Sequence, residues 1–123
     1  MILRSKDRET LLQIFSLVNA PFEVWAYGSR VRGEAHEGSD LDLVIRTGSL
    51  QKLPIEVLLE IKEKIQESNI PVMVEIFDWA RLPESFHRNI NAHHEVLYSN
   101  LATMVHEPPA EYKKKDEEKN NAN

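Results

Sequence analysis

The sequence contains no cysteine. Disulfides, thiolate metal ligands and thiol nucleophiles are therefore excluded, and a reducing, cytoplasmic location is expected. A surplus of positive charge is missing too: 15 Lys and Arg stand against 20 Asp and Glu, a net charge of −5. A chain of that balance has no broad electrostatic grip on polyanions, so no direct nucleic-acid binding is expected. No apolar run approaches the roughly 20 residues that cross a bilayer, so no membrane association is expected. The stretch Met1-Ile2-Leu3-Arg4-Ser5-Lys6-Asp7 lacks the apolar segment of a signal peptide. Glycine is scarce, four in 123 residues. Two of the four, Gly28 and Gly33, stand within one short stretch, which draws attention to it.

What is present is ordinary for a single soluble domain: 41% apolar and 28% charged residues. One domain over residues 1–104 is predicted. A polar tail over 105–123, with the mixed-charge run Lys113-Lys114-Lys115-Asp116-Glu117-Glu118-Lys119, has too little apolar surface to offset its ordering entropy and is expected to be disordered. Leu11, Leu12, Phe15 and Val18 predict a helix over 6–18, capped by Ser5 and stopped at Asn19-Ala20-Pro21. Aromatic and β-branched residues predict a strand over 22–27. A turn or short helical link follows over 30–39, then a strand over 40–46. Pro54 suits the first turn of a helix reaching 68, and a third strand covers 72–78. Pro83 opens a helix through 94, and 95–98 reads either as its end or as a short strand. The predicted fold class is α/β (α+β), a small mixed β-sheet flanked by helices in the order α-β-β-α-β-α. Strands one and two are antiparallel neighbours, and strand three lies beside strand two.

The chemistry concentrates in Gly28-Ser29-Arg30-Val31-Arg32-Gly33 and Ser39-Asp40-Leu41-Asp42-Leu43. Residues i and i+2 of a strand share a face, so Asp40 and Asp42 project side by side. Two carboxylates that close repel unless a cation lies between them. Mg²⁺ is the natural candidate, because it binds through one or two carboxylates plus substrate phosphates. The Gly28-Ser29 turn upstream offers backbone approach and a hydroxyl to those phosphates. Arg30 and Arg32 offer planar forks. Nucleotidyl transfer is the reaction this combination serves.

The Gly-Ser turn followed by the Asp-x-Asp pair resembles the DNA polymerase beta-like nucleotidyltransferase superfamily. The two motifs, with Asp78-Trp79-Ala80 further on, resemble most closely the minimal nucleotidyltransferase (MNT) proteins. The likeness runs from Trp25 to about Trp79. It implies the nucleotidyltransferase fold and ATP as substrate, with two Mg²⁺ ions on Asp40 and Asp42. A third acid on the third strand, at the position of Glu75, would share in metal binding and deprotonate the acceptor; the family usually has Asp there. Gly28, Ser29, Arg30, Arg32 and Ser39 would meet the nucleotide. The resemblance further implies a helical HEPN-family partner in a hetero-oligomer, with the MNT subunit as antitoxin transferring AMP to a tyrosine of the HEPN toxin. A non-catalytic binding antitoxin and a small-molecule nucleotidyltransferase remain alternatives.

Asp78 competes with Glu75 for the third position, but alternation puts it on the opposite face of the strand. His93 and His94 are adjacent and do not share a helix face, so a zinc site is not expected of them. His36 falls in the link between the two motifs. Trp25 and Trp79 are read as core or interface residues.

Overall fold

The computed structural model describes residues 1–35 and 38–101; His36 and the tail from 105 lie outside the described residues. Helix α1 spans Ser5–Ser16. Ser5 does not cap it. Arg4 takes the N-cap position, and its guanidinium donates to the Asp7 carboxylate at 2.9 and 3.0 Å. Those hydrogen bonds hold the Asp7 carboxyl below its ordinary value despite its burial. Leu11, Ile14 and Phe15 form the buried stripe of α1.

Strand β1 (Glu23–Tyr27) leads through α2 (Ser29–Arg32), a single helical turn, toward β2 (Leu41–Arg46), which pairs antiparallel with β1. Helix α3 (Ile55–Gln66) then carries the chain to β3 (Val74–Asp78), which runs parallel to β2. A parallel pair needs a crossover of this kind. A 3-10 turn, Trp79–Arg81, precedes α4 (Glu84–Ala92). Pro54 and Pro83 stand at the N-cap positions of α3 and α4.

The segment left open between helix and strand is a fourth strand, β4 (His94–Ser99), paired antiparallel with the outer side of β1. Helix α4 stops at Ala92, two residues earlier than predicted. The sheet order is β3-β2-β1-β4. Leu97 enters the core while Val96 stays exposed, the alternation of a strand and not the stripe of a helix.

Helices α1 and α3 cover one face of the sheet, where Phe15, Val24, Leu43, Ile45 and Ile61 are buried together. On the other face Trp25, Val44, Trp79 and Ile90 form a smaller cluster under α4. Helix α4 covers that face only in part: Phe77 of β3 is exposed. No helix among the described residues is long and apolar enough to cross a membrane.

Candidate active site

Strand β1 ends at Gly28, whose φ of 85° lets the chain turn abruptly into α2. A Cβ at Gly28 would lie 2.5 Å from Oδ2 of Asp42. The Asp42 carboxylate therefore rests directly against this turn, in space that any other residue would fill. Gly33 closes α2 in the left-handed conformation, with φ of 79°.

The sheet register gathers the acids. Tyr27 of β1 is paired with Asp42 of β2, and Asp42 with Glu75 of β3. Paired residues share a face, so Tyr27, Asp42 and Glu75 form a row across three strands. Asp40 lies two residues before Asp42, ahead of the first paired residue of β2, and is exposed. The electrostatics follow from this crowding. Burial first, and then the charges of Asp40 and Glu75, push the Asp42 carboxyl up, with Arg32 opposing them. Burial, then Asp42 and Glu75, push the Tyr27 phenol up to about 12.

Among the described residues, no three carboxylate or imidazole groups are gathered closely enough to enclose a metal ion alone. The donor set still suits Mg²⁺. Its oxygens are hard ligands, and Mg²⁺ commonly takes one or two carboxylates and completes its shell with phosphates and water. Burial, and then repulsion from Asp40 and Glu75, makes Asp42 costly to ionise, and a divalent cation would offset that cost.

Arg30 and Arg32 separate completely. Arg30 is 5% exposed. Its Nη1 donates to the Ile2 carbonyl at 2.7 Å, and its Nε and Nη2 donate to the Ser39 carbonyl at 3.1 and 2.7 Å. The expected phosphate fork is thus a clamp, tying α2 to the N-terminus and to the residue before Asp40. Ser39 is half-buried and enters through that backbone carbonyl. Arg32 is exposed, pairs with Glu34 at 3.1 Å and faces a cleft.

That cleft, about 410 Å³, is lined by Tyr27, Gly28, Ser29, Arg32 and Asp42 on the sheet side. Its volume is in the range of small-molecule sites, roughly 300–1,000 Å³. The opposite wall is α4, through Phe86, Asn89 and Ile90, with His93 just beyond its C-terminal end. Glu75 lies outside this lining and borders a groove at the edge of the sheet along β3. Asp78 is buried on the opposite side: it accepts from the Leu53 and Ala80 backbone N–H groups and from Arg81.

The α4 wall escaped the sequence reading. Its one signal was the spacing 86, 89, 90, which puts the three residues on one helical face. Two imidazoles fasten the helix to the sheet. His87 stacks on Trp79 at 4.0 Å and donates from Nε2 to the Trp79 carbonyl at 2.6 Å. His94 stacks on Trp25 at 3.8 Å, and its Nδ1 donates to the Ile90 carbonyl at 3.0 Å. The Arg46 guanidinium lies over both indoles, at 3.9 and 4.4 Å.

A glycine-serine turn pressed against a strand carboxylate, with a second acid beside it on a mixed sheet, defines a nucleotidyltransferase. The chain belongs to the polymerase beta, nucleotidyltransferase family, whose model matches residues 9–102. It is 33% identical over 104 residues to the "Probable protein adenylyltransferase MntA" of Haemophilus influenzae, covering 83% of this chain and 88% of that protein. Its fold matches that of a chain in a crystal structure of a toxin–antitoxin with AMP-PNP, with a TM-score of 0.62 at 14% identity, covering 79% of this chain and 77% of that one. It likewise matches a chain in a mutant of the toxin–antitoxin MntA-HpeT, with a TM-score of 0.59 at 15% identity, covering 82% and 77%.

Proposed function

We propose that this protein transfers AMP from ATP to a tyrosine hydroxyl of a helical HEPN-family toxin and so acts as the antitoxin of a toxin–antitoxin pair in the cytoplasm. The carboxylate row carries the reading, with Asp42 against the Gly28-Ser29 turn and Glu75 in register beside it. The 33% identity to an MntA adenylyltransferase supports ATP as donor and a protein as acceptor.

In this reading the acceptor oxygen bonds to the α-phosphorus, the bond from that phosphorus to the bridging oxygen breaks, and pyrophosphate leaves. Ser29 and Arg32 bind the phosphates of the nucleotide at the cleft. Gly28 admits a phosphate close to the backbone. Glu75 takes the proton of the attacking hydroxyl. Asp40 and Asp42, with Glu75, would hold Mg²⁺, which when bound neutralises the phosphates and orients the acceptor. Most of the rate in such transfers comes from positioning and charge stabilisation.

The test is to incubate the purified chain with Mg²⁺, labelled ATP and the helical protein encoded beside its gene, and to weigh both proteins. A mass gain of whole AMP units on the partner, absent with Asp42→Asn, is expected. Transfer undiminished by Asp42→Asn would overturn the assignment. A second reading, neutralisation by binding alone, is favoured by Glu75 standing where the family usually has Asp. A stable complex with no mass gain would support it.

A further inference from the structure

The α4 wall of the cleft is unexplained by phosphate chemistry. Phe86, Asn89 and Ile90 lie on one face of α4, and His93 follows at its C-terminal end. Ile90 is 2% exposed and anchors the helix, whereas Phe86, one turn earlier, leaves 46% of its surface in water at the mouth of the cleft. A large ring kept exposed beside a cleft is a surface for another flat apolar group. Asn89, one turn further along the same face, adds a planar amide.

We propose that Phe86 and Asn89 form the subsite that holds the adenine base of the donor nucleotide. The inference rests on the nucleotide-transfer reading above. The cleft is continuous from Gly28, Ser29 and Arg32, which take the phosphates, past Asp42 to Phe86 and Asn89. One ligand therefore spans both walls. Phe86 stacks on the base face. The Asn89 amide sets one donor and one acceptor side by side. That is the complement of the adenine N7 acceptor and N6 amino group, whereas the corresponding guanine edge presents two acceptors. No sequence motif announced these two residues; their place follows from where α4 is fastened.

The experiment is calorimetry with Mg²⁺ and three probes: α,β-methylene ATP, α,β-methylene GTP and tripolyphosphate. Phe86→Ala should weaken the ATP analogue about ten-fold, in the range of base–aromatic stacking, and leave tripolyphosphate within two-fold. Phe86→Trp should retain the affinity, because it retains the stacking surface. Asn89→Leu should erase the preference for the ATP over the GTP analogue. The proposal is overturned if Phe86→Ala and Asn89→Leu leave nucleotide affinity and preference unchanged; weakened capture of the toxin partner in that case would make this wall an acceptor surface instead. It is also overturned if Phe86→Ala weakens tripolyphosphate as much as nucleotide. If the native chain binds tripolyphosphate while the Phe86 arm fails, only this inference falls. If it binds none of the probes, the nucleotide reading falls with it.

Discussion

Asp42 illustrates how a side chain can be built into a fold at a cost to that fold. It is half-buried, it lies against Gly28, and it has acids before it on its own strand and beside it on the next. Burial and repulsion raise its carboxyl above the ordinary aspartate value of 3.8. The folded state therefore holds a proton on Asp42 at pH values where the unfolded chain has released it. The penalty is absent below 3.8 and grows as pH rises through the raised folded value. Asp42→Asn, which keeps the shape and removes the charge, should therefore stabilise the metal-free protein at neutral pH, by a few degrees in Tm. Thermal unfolding in EDTA at pH 7 and at pH 3.5 checks this: the gain should be present at the first and gone at the second. A variant that melts below the native chain at pH 7 would show that Asp42 is held by favourable contacts after all. Mg²⁺ with nucleotide should raise the native Tm and leave Asp42→Asn unmoved, because binding stabilises only the state that binds.

One turn of helix, α2, does two unlike jobs with two arginines. Residues two apart on a helix point about 200° from one another, so Arg30 and Arg32 cannot serve the same space. Arg30 is buried against the carbonyls of Ile2 and Ser39, while Arg32 meets the cleft. Arg30→Met should cost about 3 kcal/mol, because it strands buried carbonyls and removes charge-assisted bonds. Arg32→Met should cost under about 1 kcal/mol, since its partner Glu34 is an exposed ion pair, yet should weaken nucleotide binding. Urea unfolding midpoints for the two variants, with calorimetric affinity for Arg32→Met, separate the roles. Equal losses of stability would contradict the division. The sequence offered both arginines to phosphate, and the fold brings only Arg32 to the cleft, because spacing gives an angle and not its origin. Local pattern was enough for β1, β2, α3, for bringing the two motifs together at Gly28 and Asp42, and for Asp78 facing away from Glu75. It failed where distant chain decides. The strand character of 94–99 depends on an open β1 edge, the cap of α1 on a salt bridge from Arg4, and the α4 wall on stacking between residues as far apart as Trp25 and His94.

At the scale of the molecule, the two faces of one four-stranded sheet are given different work. Two helices close the first face over a continuous core, and a single short helix half-closes the second, leaving a cleft with Ser29 and Arg32 on one wall and Phe86 on the other. In the proposed reading that arrangement is a donor half. The one hydroxyl of the acceptor's chemical type in the cleft is that of Tyr27, and it is badly placed for attack. Its phenol is pushed from 10.0 up to about 12, so at neutral pH it carries about a hundred-fold less phenolate than an ordinary tyrosine. The same acids that raise it, Asp42 and Glu75, would also repel the negative charge that an attacking oxygen must bring. The chain should therefore need an acceptor from outside. Incubated alone with Mg²⁺ and ATP it should gain no mass, and after reaction with its partner, peptide mapping should find AMP on the partner and none on Tyr27. Modification of Tyr27 in the isolated chain would mean that this site completes its own chemistry, and the division into donor and acceptor halves would have to be abandoned.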